Sequence, residues 1–104
     1  MRIDILYFDG CPHHHPTVEL VRDVVQTLGL DATIREVELR DADDAARQGF
    51  FGSPTVQVNG QDVDPMVRSR VDYSFACRTY GRWGVPPREL IERAMQPEST
   101  GPRP

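Results

Sequence analysis

Lysine is missing from this 104-residue sequence: all twelve positive side chains are arginines, scattered along the chain rather than gathered in a stripe. With a formal net charge of −4, the chain has no basic track of the kind that follows a phosphate backbone, which argues against nucleic acid as a partner. Long apolar runs are missing too. The first, from Ile3 to Phe8, is interrupted by Asp4 and is too short for the apolar part of a secretion signal; none approaches the ~20 residues needed to span a bilayer. The expectation is a cytoplasmic protein with no membrane partner. Cysteine is scarce, only Cys11 and Cys77. In a reducing cytoplasm such a pair rests mostly as thiols, so a disulfide between them would be transient and functional rather than a staple. There is no internal repeat and no motif for an organic cofactor. The length fits one domain with its own hydrophobic core.

Taken in order, residues 2–8 read as a strand with apolar side chains on both faces, Ile3, Ile5 and Tyr7 alternating with Asp4, Leu6 and Phe8, as in a central strand. Val18, Val21, Val25 and Leu28 then recur at helical spacing, with Leu20 and Val24 beside them and Gly29 placed as a C-terminal cap. Two starts are open for this helix. Pro12 suits a first helical position, but Pro16 would then kink the first turn, whereas a start near Pro16 avoids that. Residues 32–39 form a second strand whose apolar phase slips between Ile34 and Val37, as at a bulge or a strand end. Asp41 to Gln48 is a short helix closed by Gly49, and the adjacent Phe50 and Phe51 suit the core beneath the sheet. Thr55–Val58 is a third strand, Asn59-Gly60 a hairpin turn, and Gln61–Asp64 opens a fourth strand. Residues 65–85 resist assignment; a connection that long is usually functional or holds a short helix of its own. A last helix runs from Pro86-Pro87 through Ala94, and from Pro97 the chain is a polar tail that cannot pack. The expected organisation is a domain over residues 1–96 and a flexible tail over 97–104.

Chemistry concentrates at Tyr7-Phe8-Asp9-Gly10-Cys11-Pro12-His13-His14-His15, where the first strand gives way to the first helix. A thiol there faces unsatisfied backbone N–H groups and the positive end of the helix dipole, both of which favour thiolate. Cys11 is therefore a candidate nucleophile or soft-metal ligand. Imidazoles nearby can tune it, stabilising thiolate when protonated or taking its proton when neutral. Successive helical side chains point about 100° apart, so in a helix only His14, three residues on, shares a face with Cys11. In a loop, His13, His14 and His15 could join Cys11 and Cys77 as ligands for Zn²⁺, Cu(I) or a heavier thiophilic metal. Asp9 could either oppose the thiolate by like charge or relay a proton.

The order βαβα then ββα, with the cysteine motif after the first strand and Ser53-Pro54-Thr55 leading into the third, resembles the thioredoxin fold. The resemblance spans residues 2–95 and is nearest to small bacterial thioredoxin-like proteins with a Tyr-Phe-Asp-Gly-Cys-Pro motif, some carrying selenocysteine and others labelled alkylmercury lyases. It implies an α/β, thioredoxin-like domain with a four-stranded mixed sheet flanked by three helices. It also implies a cis Pro54 whose loop, Ser53 to Thr55, flanks Cys11, with Pro12 beside it. The sequence departs from the dithiol members, since Cys11-Pro12-His13-His14 stands where they have Cys-x-x-Cys. The resemblance places Cys77 on a connection leaving from the same sheet edge as Cys11, so Cys77 or an external thiol is the candidate resolver. Two functions follow as expectations. One is a thiol oxidoreductase acting on protein or small-molecule thiols and disulfides, with Cys11, Cys77, His14 and Pro54 at its centre and no required cofactor. The other is thiophilic metal binding or detoxification, including mercury or organomercury handling.

Overall fold

The structure is a computed structural model in which residues 1–71, 73, 76, 78, 80 and 84–96 are described. Its elements follow one another as β1 (Arg2–Tyr7), α1 (His14–Leu28), β2 (Thr33–Glu38), α2 (Ala42–Gln48), β3 (Thr55–Val58), β4 (Gln61–Asp62), a 3-10 turn (Pro65–Val67) and α3 (Arg88–Met95). The four strands make one mixed sheet in the order β2-β1-β3-β4. β1 runs parallel to β2 and antiparallel to β3, which is antiparallel to β4.

Apolar alternation decides which helix covers which face. Ile3, Ile5, Val56 and Val58 point to one side and pack with Val18, Val21 and Val24 of α1 and Ile91 and Met95 of α3. Leu6 points to the other side, where Leu39, Ala45 and Phe50 form a smaller cluster under α2. β1 is thus central and buried on both faces, as its sequence predicts.

α1 begins between the two expected starts. His13 is its N-cap and Thr17 N donates the first helical bond to His13 O at 3.2 Å. Pro16 therefore falls at the third helical position, where an N–H has no intrahelical partner to lose. The slip in β2 is not a bulge: its register with β1 is unbroken from Arg2↔Thr33 to Tyr7↔Glu38. Ile34 packs against the α1/α3 cluster and Val37 against the α2 cluster, so the two residues serve opposite faces. The adjacent phenylalanines also part company. Phe50 is fully buried, whereas Phe51 is half-buried and its ring meets Tyr73 at 5.0 Å. The expected tail, 97–104, lies outside the described residues.

Candidate thiol site

Cys11 is positioned by a tight turn at the end of β1. Its N–H donates to Phe8 O at 3.2 Å, and Gly10 inside the turn has φ +86°, a conformation that side chains with a Cβ rarely adopt. Cys11 O then accepts from His14 N at 3.4 Å, tying the turn to the start of α1. The thiol is free and half-buried.

Across from this turn stands Ser53, joined to Pro54 by the cis bond that the resemblance implies. Ser53 is fully buried and serves two neighbours. Its Oγ accepts from Phe8 N at 3.4 Å, which links it to the cysteine turn. Its backbone N–H donates to Ala76 O at 2.8 Å, and its carbonyl accepts from Arg78 N at 2.9 Å. Gly52 explains how the 76–78 backbone comes so close: a Cβ there would stand 2.8 Å from Arg78 Cβ and 3.1 Å from Ala76 O. Cys77 itself lies outside the described residues. Thr55, which leads β3, is buried and donates to Gly52 O at 2.7 Å, holding the same loop.

A buried polar lock secures this segment. Arg78 donates to both carboxylate oxygens of Asp62, at 2.7 and 3.1 Å, and to Thr55 Oγ1 at 3.3 Å. The Arg78 guanidinium also lies 4.2 Å from the centre of the Tyr80 ring, whose hydroxyl donates to Pro54 O at 2.6 Å. Burial alone would lower the affinity of Arg78 for its proton, but the Asp62 hydrogen bonds, with the charges nearby, leave it raised. Burial drives the Tyr80 hydroxyl well above its usual range; Arg78 opposes this, and Asp62 and Asp64 add to the rise. The pair therefore presents a fixed cation and a neutral phenol at any ordinary pH.

The histidines diverge. His13 is half-buried against Gly84, where a Cβ would collide with its ring. His14 stacks on Tyr7, with ring centres 3.6 Å apart and an 8° angle between planes, and its Nε2 donates to Glu36 Oε1 at 2.7 Å. His15 is 81% exposed and 3.8 Å from Glu19. Tyr7 is raised by burial first and then by Glu38, Glu36 and Asp9, so the phenol beneath His14 stays protonated. Among the described residues no group of three or more His, Cys, Asp or Glu side chains is spaced to hold one metal ion. Asp9 and Phe8 line a cavity of about 310 Å³ with Glu38, Leu39 and Arg40, alongside the cysteine turn. Pro12 is exposed at the mouth of the turn.

Asp62 and Arg78 were not singled out by the sequence. Nothing marks Arg78 among scattered arginines, and only pairing across the fold gives it a role. Among the described residues no helix is long and apolar enough to cross a membrane. No protein-family model, curated protein or solved structure matches the chain significantly.

Proposed function

We propose that this is a thioredoxin-like thiol-disulfide oxidoreductase in which Cys11 is the attacking thiolate and Cys77 the resolving thiol. The strand order and the helices distributed over two faces are compatible with that fold. One observation carries the functional reading: Ser53 hydrogen-bonds both the turn that presents Cys11, through Phe8, and the residues on either side of Cys77 in the chain, Ala76 and Arg78.

In the proposed reaction Cys11 thiolate attacks one sulfur of a substrate disulfide, forming a mixed disulfide and expelling the other sulfur as thiolate. Cys77 thiolate then attacks the Cys11 sulfur and releases the second substrate thiolate. Two electrons pass from the cysteine pair to the substrate, two protons neutralise the released thiolates, and two equivalents of an external thiol, leaving as their own disulfide, restore the pair. If Cys77 does not reach, a low-molecular-weight thiol takes the second step. His14, held by Tyr7 and Glu36, acts by fixing the start of α1 rather than as a metal ligand. The metal reading gains no support from the separate partners of His13, His14 and His15.

The test uses the untagged chain exposed to a small disulfide, quenched with an alkylating agent and mapped by mass spectrometry. Wild type should yield a Cys11–Cys77 disulfide. Cys77→Ser should accumulate a mixed disulfide on Cys11, and Cys11→Ser should form neither. Equal modification of both cysteines, with no dependence of one on the other, would overturn the assignment.

A further inference from the structure

The α2 side of the sheet carries a row of polar residues where a core would be expected. Strand register aligns Arg35 with Asp4, Asp4 with Gln57 and Gln57 with Asp62, so one polar row crosses all four strands. Asp4, Gln57 and Asp62 are 4%, 8% and 5% exposed. Burying such groups is unfavourable unless each is bonded. Asp4 is held by Arg2 and Arg35, and Asp62 by Arg78. Gln57 Nε2 donates to Gln48 O at 2.7 Å and Gly49 O at 3.5 Å, occupying carbonyls at the C-terminal end of α2.

The Gln57–Asp62 end of this row lines a cavity of about 360 Å³ whose walls include Arg47, Arg68, Arg70, Gln61 and the Phe51–Tyr73 pair. In a chain of net charge −4, the cavity has a positive lining. Its acidic member, Asp62, is already neutralised by Arg78, and Asp44 engages Arg47 from outside. Gln57 takes up the Gln48 and Gly49 carbonyls, which lessens the repulsion that the C-terminal end of α2 presents to an anion. Arg68 uses Nε on Asp62 O, which leaves its terminal nitrogens for a ligand.

We propose that this cavity binds a small oligoanion, one bearing two neighbouring phosphate or carboxylate groups that the guanidinium forks of Arg47 and Arg68 engage. The site is separate from Cys11 and does not depend on the thiol chemistry. The test is isothermal titration of the untagged chain at low salt with inorganic pyrophosphate and, in parallel, citrate. Saturable one-to-one binding with Kd below about 1 mM is expected. The tighter of the two probes identifies phosphate or carboxylate as the source. Arg47→Gln should weaken binding about tenfold. Gln61→Glu, which adds a carboxylate to the wall without removing a described contact, should abolish it. Both positions are exposed, so the variants should fold, as circular dichroism would verify. Arg93→Gln on the exposed side of α3 should change nothing. Absence of binding by both probes at about 5 mM, or an Arg93→Gln effect as large as that of Arg47→Gln, would overturn the proposal.

Discussion

The two faces of the sheet are built on opposite principles although the same strands supply both. On the α1/α3 face the buried positions of β1 and β3, Ile3, Ile5, Val56 and Val58, are aliphatic, so stability there comes from removing apolar surface from water, at about 1.5–3 kcal/mol for a fully buried side chain. On the α2 face Leu6 is followed along the sheet by Asp4, Gln57 and Asp62, and a seven-residue helix is too short to cover them all. Those polar groups hold together by pairing. An apolar core tolerates truncation in proportion to lost volume, whereas a paired polar site fails when either partner is removed.

The comparison is broken most severely at Asp62. Its side chain is 3% exposed and that of Arg78 is 9% exposed. Asp62→Ala should therefore cost about 3–5 kcal/mol, because it leaves the buried guanidinium with only Thr55 at 3.3 Å and Asp64 at 3.9 Å. Replacing both partners with apolar residues, Asp62→Leu with Arg78→Met, should recover much of that loss. Urea denaturation measures both variants. A double variant no more stable than the single one would show that pairing is not what the lock contributes.

On the apolar face, Ile5→Ala should cost about 2–5 kcal/mol through the lost transfer energy and the cavity left behind. It should leave Cys11 alkylation kinetics largely unchanged in the folded fraction, since Ile5 packs away from the turn. If Ile5→Ala and Asp62→Ala disturb the thiol equally, the two faces are not independent.

Gly52→Ala acts between the faces. Its Cβ would meet Arg78 Cβ at 2.8 Å, and at φ +118° the alanine backbone is strained wherever the neighbour moves. The expected cost is about 1–3 kcal/mol. It should be accompanied by release of the Ala76 and Arg78 hydrogen bonds to Ser53, seen as faster amide exchange at Ser53 and Arg78. Under the proposed function the same variant should form less Cys11–Cys77 disulfide than wild type at equal oxidant.

The apolar face was largely legible in the sequence because burial there follows a period. Val18, Val21 and Val24 repeat at helical spacing, Gly29 takes the left-handed cap at φ +65°, and Asn59-Gly60 makes the hairpin with φ +51° and +87°. The polar face was not. Gln57 and Asp62 sit at the polar positions of alternating strands, which reads as solvent-facing, and Asp4 interrupts a strand read as covered on both sides without any sign of its partner. Only the register that aligns them across strands reveals a buried row. For the site, the Cys11 turn was visible through Gly10 and its place after β1, but its connection to Arg78 depends on contacts between segments more than twenty residues apart. The divergence of the histidines followed the helical 100° rule only in part, because Tyr7, Glu36 and Gly84 decide where the rings go.

The smallest expected effect concerns the helix that covers the mixed face. In the first turn of α2, the Asp44 carboxylate accepts from Arg40 N at 3.1 Å and pairs with Arg47, while Asp44 N donates to the Asp41 cap at 2.9 Å. The Arg40 N–H holds the Asp44 carboxyl below its ordinary value; burial, the next influence in size, opposes this, and Arg47 adds to the lowering. A depressed carboxyl stabilises the fold fully above its unfolded value of about 3.9 and loses that contribution as pH falls through the lower folded value. Amide exchange in α2 should therefore rise on acidification in that window, relative to exchange in α1. Asp44→Asn should remove most of this pH dependence while leaving the Asp41 cap in place. Because the group lies at the surface, salt should blunt the effect without abolishing it, since a backbone hydrogen bond is its leading cause. If α1 and α2 instead loosened together over the same pH range, the acid response would be global and α2 would not be the separable cover of the polar face.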